Sequence, residues 1–233
     1  MNRTLTKVLP NRIPAQGALG LDITAEVVIF TIRQNELQVL LVPADHHSQR
    51  GLWMLPGGVV GWEDDLDTCA SRALAAQAGV HGVYLEQLYT FGDPDRCPDR
   101  RVIAVSYYAL IPIHRAHFGG PKGDRHIDWF SVANLPTLVL DHATIVELAR
   151  ERLVAKLDYS TIAFQFLPES FTLSELQSVY EIILGEQLDK RNFRKRVLAL
   201  KCLQQTAELR RNGSHRPARL YQLCTPGKVE YIK

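Results

Sequence analysis

The order of hydrophobic and polar positions divides the chain into a first part rich in predicted strands and a second part rich in predicted helices. Runs of β-branched and aliphatic residues predict strands over residues 22–32, 37–42, 83–91, 102–113 and 126–130. The first two runs flank "RQNE", which predicts a hairpin, and "GLWMLPGG" from Gly51 predicts a third strand. Apolar residues at spacings of three and four predict helices over residues 65–78 and from 141 to about 156. Mixed strands with helices on both sides predict an α/β fold layered as helix, sheet and helix.

Each of these two predicted helices has one apolar side that would pack on the sheet. In the first helix that side consists of Leu66, Cys69, Ala70, Ala73, Leu74 and Gln77. In the second helix it consists of Ile145, Leu148, Ala149 and Leu153.

A different organisation begins beyond Pro168. Thr172 is followed three residues later by Glu175, a capping box that predicts a helix start, and Gly185 lies where that helix would end. The predicted buried stripe of this helix consists of Leu173, Leu176, Tyr180, Ile183 and Leu184. The turn "EQLD" then leads into a second helix, "KRNFRKRVLALKCL".

The second helix of this pair has two unlike faces. Phe193, Val197 and Leu200 share one face, and the opposite face carries Arg191, Arg194 and Lys195. A basic helix face is often only solvated. On the second helix of a helix-turn-helix, however, it has the geometry that enters a DNA major groove.

A two-stranded wing is predicted next, in "TAELRRNGSHRPARLYQL". Asn212-Gly213 is a strong hairpin-turn dipeptide, and Pro217 suits an edge strand. The turn is surrounded by cationic residues, which would contact phosphates while the second helix reads base edges: Arg210, Arg211, His215, Arg216 and Arg219. These features predict a winged helix.

Charge is distributed unevenly along the chain. The whole chain has a net charge of +2, but residues 157–233 hold 12 Lys and Arg against 8 Asp and Glu, whereas the rest holds 15 against 17. This basic C-terminal third favours a nucleic-acid partner. The four cysteines lack the paired spacing of a disulfide framework or a zinc cluster. No signal peptide or membrane-spanning run is seen, so we expect a soluble, cytoplasmic protein.

The most informative single stretch is "LPGGVVGWEDDLDTCASRALAAQAGV", from Leu55 to Val80. It resembles the Nudix box, G-x5-E-x7-R-E-U-x-E-E-x-G-U, where U is a bulky aliphatic residue. Aligned on its end, the box reads Gly58, Asp64, Arg72, Ala73, Leu74, Ala76, Gln77, Gly79 and Val80.

Three glutamates of the box are replaced in this chain. Positions 73, 76 and 77 share one helix face, where a hard cation such as Mg²⁺ needs oxygen ligands. Two alanines and a glutamine do not supply that charge, so we expect no catalysis and no metal. Carboxylates remain nearby at Glu63, Asp64, Asp65 and Glu86, and the first three also suit a helix N-terminus.

An arginine-containing loop follows the box. Arg96, Arg100 and Arg101 lie in "TFGDPDRCPDRRVIAVSYYALI", and guanidinium groups bind phosphate in bidentate fashion. Each arginine alone could be solvated; together, beside a Gly-rich loop, they favour a ligand site. Trp53 could stack on a nucleobase or fill the core.

Taken together, these motifs resemble the Nudix-related transcriptional regulators, the NrtR family. The resemblance implies an N-terminal arm over residues 1–20, a Nudix-like effector-sensing domain over 21–156, and a winged-helix DNA-binding domain over 157–233. The arm holds Arg3, Lys7 and Arg12 without an acid, and it is either a solvated tail or a segment that reaches phosphates or a minor groove.

The resemblance also implies function. We expect a homodimeric repressor of NAD-metabolism genes that requires no cofactor and leaves double-stranded operator DNA when ADP-ribose or a related nucleotide binds. The residues implied in effector binding are Trp53, Gly57, Gly58, Arg72, Arg101 and Tyr107. Those implied in DNA binding are Lys190, Arg191, Asn192, Arg194, Lys195, Arg211, His215 and Arg216.

Two other functions fit the sequence. One is a metal-dependent ADP-ribose or nucleoside-diphosphate hydrolase that recruits Asp64, Asp65 or Glu86. The other is a DNA-binding protein without an effector, whose Nudix fold serves only for dimerisation.

Overall fold

The computed structural model describes residues 20–44, 51–116, 127–211 and 217–232. Within these ranges a mixed sheet of seven strands forms the N-terminal part, in the order β3-β2-β1-β6-β5, with β4 paired to β1 and β7 to β2. The strands are β1 (Leu21–Arg33), β2 (Glu36–Pro43), β3 (Trp53–Met54), β4 (Gly57–Val59), β5 (Tyr84–Phe91), β6 (Arg101–Leu110) and β7 (Asp128–Ser131). The predicted arm over residues 1–20 lies outside the described residues except for Gly20.

The predicted hairpin is confirmed as β1 and β2. Its two turn residues, Gln34 and Asn35, both have positive φ (54° and 60°), as a tight two-residue hairpin turn requires. β1 also pairs in parallel with β6, from Leu21 opposite Arg101 onward. The strand predicted over residues 102–113 ends earlier, because Pro112 has no N–H to donate and a 3₁₀ turn, Ile113–Arg115, follows it.

The predicted helix over residues 65–78 is two pieces. Helix α1 (Leu66–Ala73) begins at Asp65, whose carboxylate accepts the Thr68 N–H at 2.6 Å. A π turn, Leu74–Ala78, then widens the helix and ends at Gly79, with φ 65°. This wider turn carries Gln77 towards β4, where its amide is anchored on Gly57.

Two hydrophobic cores lie on opposite faces of the sheet, because neighbouring residues of β1 point to opposite faces. The box-side core joins the sheet to α1 and includes Ala25, Val27, Ile29, Cys69, Ala70, Leu74 and Tyr107. The other, here called the shared core, joins the sheet to helix α2 (His142–Lys156) and to the C-terminal part, and it includes Val28, Phe30, Ile145, Ala149, Leu153, Phe164, Leu176, Ile183 and Phe193.

The C-terminal part has the predicted helix-turn-helix and two strands. Helix α3 (Leu173–Leu184) has the predicted capping box, with Thr172 and Glu175 bonded reciprocally, and it ends at Gly185 with φ 73°. A 3₁₀ turn, Ile162–Phe166, precedes α3. The second helix, α4 (Lys190–Ala199), is shorter than predicted, because the chain turns at Lys201 with φ 55°. Strands β8 (Leu203–Arg210) and β9 (Ala218–Leu223) form an antiparallel ribbon.

No helix in the described ranges combines the length and the apolar character needed to cross a membrane.

Candidate ligand cleft and nucleic-acid interface

A cleft of about 650 Å³ lies between the start of α1 and the sheet. Its floor is formed by Ile23 of β1, Gln87 of β5, and Ile103, Val105 and Tyr107 of β6. Those β6 residues share one face because side chains alternate along a strand, and Arg101 lies on the same face at the end of the row. The opposite wall consists of Val60, Asp64, Asp65, Leu66 and Asp67.

The two glycines of the predicted loop have different roles. A Cβ at Gly57 would lie 2.6 Å from the Ala25 carbonyl oxygen, so only glycine allows β4 to approach β1 this closely. A Cβ at Gly58 would meet open space. Gly57 is therefore explained by packing, and Gly58 is free to face a ligand.

The box position held by Gln77 is bound to the loop. Gln77 Nε2 donates to the Gly57 carbonyl at 3.0 Å, while its Oε1 is buried without a hydrogen-bond partner in the described residues. Ala73 is buried and Ala76 is exposed. These three side chains do not fit a Mg²⁺ site, since none offers a carboxylate.

The acidic wall of the cleft is held by hydrogen bonds within the chain. Arg72 binds Asp64 through both terminal nitrogens, at 3.0 and 2.6 Å, and its guanidinium holds the pKa of that carboxyl below its usual value. The Tyr107 hydroxyl donates to Asp67 at 2.6 Å, and burial raises the pKa of Tyr107. Asp65 caps α1. Arg72 and Tyr107 thus lie at the cleft.

Glu86, the carboxylate farthest from the box, faces away from the cleft. It accepts hydrogen bonds from the buried Lys156 of α2 and from the Tyr84 hydroxyl. Burial would raise the pKa of Glu86, but the Lys156 ammonium and the Tyr84 hydroxyl hold it below its usual value. In the described residues, no three His, Cys, Asp or Glu side chains lie where they could hold a metal together.

The three predicted loop arginines are all bonded within the chain. Arg101 donates to the backbone carbonyls of Gly92 and Asp93, at 2.8 and 2.9 Å, and Arg100 pairs with Asp22 at 2.8 Å. Arg96 is buried and donates to both carboxylate oxygens of Asp141, at 3.0 and 2.6 Å. Of the three, Arg101 lies in line with the cleft floor.

A buried polar network that the sequence did not reveal lies beneath the glycine loop. Arg96 also contacts Glu26 at 3.4 Å, and Glu26 pairs with Gly57 in the β1–β4 ladder. The first residue of α2, His142, accepts the Leu55 N–H on Nδ1 at 2.9 Å, and burial lowers its pKa. In the sequence, the one sign of this network was Glu26, a charged residue inside the apolar run "TAEVVIF". The network ties the loop to the start of α2.

Trp53 does not line the cleft. It packs against the shared core, on the sheet face opposite α1, with its ring 4.6 Å from that of Phe130 in an edge-on arrangement. Of the predicted effector residues, the structure places Tyr107 in the cleft floor and Arg72 on the wall residue Asp64, whereas Trp53 lies on the opposite face of the sheet. Gly57, Gly58 and Arg101 lie on neighbouring strands and are not among the residues that line the cleft.

The predicted DNA-binding face of α4 is exposed. Phe193 and Val197 are buried against α3, while the cationic and polar side chains of the other face are open to solvent: Lys190, Arg191, Asn192, Arg194 and Lys195. Those four cations have no ion pair within the described residues. Their spacings of one, three and four residues place them on one side of α4, where they form a basic surface.

The wing continues that surface only in part. Arg210 is bound to Glu175 at 2.6 Å, which fixes β8 to the start of α3. Arg211 is exposed at the end of β8. His215 and Arg216, with the predicted Asn212-Gly213 turn, lie outside the described residues.

Comparison with known families and structures identifies both parts. Residues 23–149 match the NUDIX domain family, and residues 163–223 match the NrtR DNA-binding winged helix domain. The chain is 35% identical over 205 residues to the ADPR-responsive transcriptional repressor NtrR of Acinetobacter baylyi, covering 86% of this chain and 81% of the relative.

Solved structures of Shewanella oneidensis NrtR are also similar. One, complexed with a 27mer DNA, has a TM-score of 0.78 and 35% identity over 86% of this chain and 93% of that chain. Another, the NUDIX domain complexed with ADP ribose, has a TM-score of 0.54 and 32% identity over 65% of this chain and 99% of that chain. The resemblance seen in the motifs is confirmed, and the chain belongs to the NrtR family, in which a Nudix domain precedes a DNA-binding winged helix.

Proposed function

We propose that this protein is a transcriptional repressor that binds operator DNA through its winged helix and releases it when ADP-ribose or a related nucleotide binds beside α1. The observation that carries the proposal is the cationic face of α4, exposed and without an ion pair among the described residues, in the same chain as a cleft whose box glutamates are replaced. The DNA-bound and ADP-ribose-bound Shewanella relatives support it. By family resemblance, the target genes are those of NAD metabolism.

The effector is proposed to lie in the cleft beside Gly58. Its acidic wall suits ribose hydroxyls, which donate hydrogen bonds to carboxylates such as Asp64 and Asp67. Arg72, which binds the wall residue Asp64, and Arg101, two residues before the floor residue Ile103, would bind the diphosphate after exchanging part of their present bonds. Tyr107 would contact the ligand from the cleft floor.

We propose that the cleft senses its ligand without hydrolysing it. The carboxylates that a hydrolase would recruit are engaged elsewhere: Asp64 by Arg72, Asp65 by the α1 N-terminus, and Glu86 by Lys156. No carboxylate occupies positions 73, 76 or 77. This arrangement supports a binding protein over the hydrolase.

Helix α2 is proposed to couple the two sites. Its first residue, His142, belongs to the network under the glycine loop, and its last, Lys156, is tied to Glu86 on the sheet. In a homodimer, a shift of α2 would change the spacing of two winged helices relative to the DNA half-sites. Linkage requires ligand and DNA to weaken each other by the same factor.

The proposal is tested by fluorescence anisotropy with DNA from upstream of the neighbouring genes, titrated with ADP-ribose. We expect tight, salt-sensitive binding that ADP-ribose reverses. Binding that no nucleotide changes would instead support the DNA-binding protein without an effector. Release of AMP in the presence of Mg²⁺ or Mn²⁺ would support the hydrolase.

Two glycine variants provide a matched control for the cleft. Gly58→Ala should fold normally, because its methyl group projects into open space. The same methyl group would lie where the ligand approaches the loop, so release from DNA should need several-fold more ADP-ribose. Gly57→Ala should lose about 1–3 kcal/mol of stability through the clash with Ala25. A Gly58→Ala protein with unchanged ADP-ribose response would exclude the loop from the site.

A further inference from the structure

Cys202 and Cys224 lie opposite each other at the base of the wing, just before β8 and just after β9. The ladder pairs Leu203 with Leu223, so its next pair outward is Cys202 with Cys224, and the Cys224 N–H donates to the Cys202 carbonyl at 2.9 Å. Directly opposed residues of antiparallel strands have Cα atoms about 4.5–5.5 Å apart. A disulfide needs about 4.4–6.8 Å, so these cysteines can be joined without separating the strands.

The two thiols differ in accessibility. Cys224 is exposed, whereas Cys202 is buried against the shared core, and burial raises the pKa of the Cys202 thiol. Both are free thiols in the structure. An oxidant in solution therefore reaches Cys224 first, and Cys202 is placed to react second.

The pair occupies a sensitive position in the winged helix. Only three residues, Leu200 to Cys202, connect α4 to β8, and the middle one, Lys201, has φ 55°, a backbone region unfavourable for a side chain. The orientation of the wing relative to α4 thus depends on this turn, together with the Arg210–Glu175 salt bridge and the Phe171–Tyr221 backbone hydrogen bonds that hold β8 and β9 near the start of α3.

We propose that Cys202 and Cys224 form a reversible disulfide under oxidation by low-molecular-weight disulfides, and that this bond fixes the wing in an orientation less suited to DNA. The Cys224 thiolate attacks the small disulfide, forms a mixed disulfide and expels one thiol. The Cys202 thiolate then attacks Cys224 Sγ and expels the second thiol. Overall, the two protein thiols lose two electrons and two protons to the small disulfide, which becomes two thiols.

The disulfide would weaken DNA binding by moving the wing. Closing the bond draws the Cβ atoms together, because a disulfide holds them nearer than a β-ladder does. The eight residues of β8 extend about 25 Å, so a small rotation at the base displaces the far end of β8 by several ångströms and strains the Arg210–Glu175 salt bridge that holds it to α3. We expect roughly tenfold weaker operator binding, the order expected for loss of one or two phosphate contacts. This consequence rests on the proposed DNA binding; the disulfide itself does not.

The full chain is equilibrated in glutathione buffers of increasing oxidised fraction, the free thiols are alkylated, and the cysteine peptides are identified by mass spectrometry. We expect a single intrachain link between Cys202 and Cys224 that thioredoxin or excess reduced glutathione reverses. The link should persist in the double variant Cys69→Ser with Cys97→Ser and disappear in Cys224→Ser.

Several outcomes would overturn the proposal. Full alkylation of both cysteines in every buffer, a mixed disulfide that stays on Cys224, or a link between two chains would each exclude the bond. A bond that forms while operator affinity is unchanged would overturn its proposed consequence. A protein that binds no DNA even when reduced would count against the proposed function instead, with the disulfide still judged by mass spectrometry.

Discussion

Helices α1 and α4 are both short, and each begins at an aspartate whose carboxylate caps it, yet their charged residues have opposite surroundings. The charges around α1 are held within the chain, with Arg72 on Asp64 and Tyr107 on Asp67. The cations of α4 are exposed, and within the described residues they form no ion pair. The same residue types are therefore organised for binding in different ways.

The difference separates two kinds of site. A side chain bonded within the fold must give up those bonds before it can bind a ligand, which makes the cleft at α1 selective. Exposed, unpaired cations can attract any polyanion, which suits initial binding to the DNA backbone. Substitutions near α1 should therefore alter stability and ligand response, and substitutions on α4 should alter DNA binding alone.

The largest expected effect comes from Arg191→Ala combined with Arg194→Ala. Operator affinity should fall about 100-fold and the salt dependence should become shallower, since two phosphate or base contacts are removed. Fluorescence anisotropy at several salt concentrations measures both. Arg150→Ala, which removes an α2 arginine paired with Glu147, is the control and should bind DNA normally. A folded double variant that also loses ADP-ribose binding would contradict the separation of the two sites.

The next effect concerns Gln77→Glu. The new carboxylate would face the Gly57 carbonyl oxygen in place of the amide donor, so we expect a loss of about 1–2 kcal/mol in unfolding free energy. A divalent cation between the two oxygens should restore part of it, whereas the unchanged protein should not respond. Urea denaturation with and without Mg²⁺ measures this, with Gln77→Ala as the control. If Gln77→Glu and the parent protein are equally stable, the hydrogen bond from Gln77 to the Gly57 carbonyl contributes nothing to the free energy of unfolding.

A smaller effect is expected in the pH dependence of stability. Burial depresses the pKa of His142 below its ordinary 6.5, so the unfolded chain takes up a proton that the folded protein resists. The contribution is present above pH 6.5 and is lost as the pH falls below it, at up to about 1.4 kcal/mol per pH unit. His142→Asn keeps an acceptor for the Leu55 N–H but does not titrate. Denaturation curves from pH 7.5 to 5.5 should therefore be flatter for the variant, and parallel curves would exclude His142 as the source.

The smallest effect is expected for Arg72→Gln. Its salt bridge with Asp64 is half exposed on the arginine side, where water screens the attraction, so stability should hardly change. The amount of ADP-ribose needed for release should still rise several-fold. A calorimetric melt measures the change in stability, and an ADP-ribose titration of the DNA complex measures the change in ligand response. A large loss of stability with an unchanged titration would make Arg72 a purely structural residue.

The sequence predicted those features of the fold that depend on neighbouring residues. Thr172 with Glu175, Gly185 and the β1–β2 hairpin follow from local spacing and turn chemistry, and all are confirmed. The replacement of the box glutamates at positions 73, 76 and 77 was also readable, because it needs only the spacing of the motif, whereas the shared helix face expected for these positions was wrong: the helix widens into a π turn after Ala73, which is buried while Ala76 is exposed.

The sequence did not predict the contacts that join distant parts of the chain. Arg96 appeared to be a solvated or phosphate-binding arginine, and its burial against Asp141 depends on a residue 45 positions away. The role of Glu86 depends on Lys156, 70 positions away. Trp53 was equally suited to core or ligand, and only the order of strands determines which face of the sheet it reaches. Such pairings require the fold before they can be inferred.

The shared core has a consequence for hydrogen exchange. Because α2, the sheet and α3 bury their apolar residues in one cluster, the slowest amides of α3 should exchange only when that cluster opens as a whole. A ligand in the cleft lowers the population of this open state. ADP-ribose should therefore slow hydrogen exchange not only in β6 but also in α3. The exchange rates of α3 amides, which never contact the ligand, would then report whether the cleft is occupied.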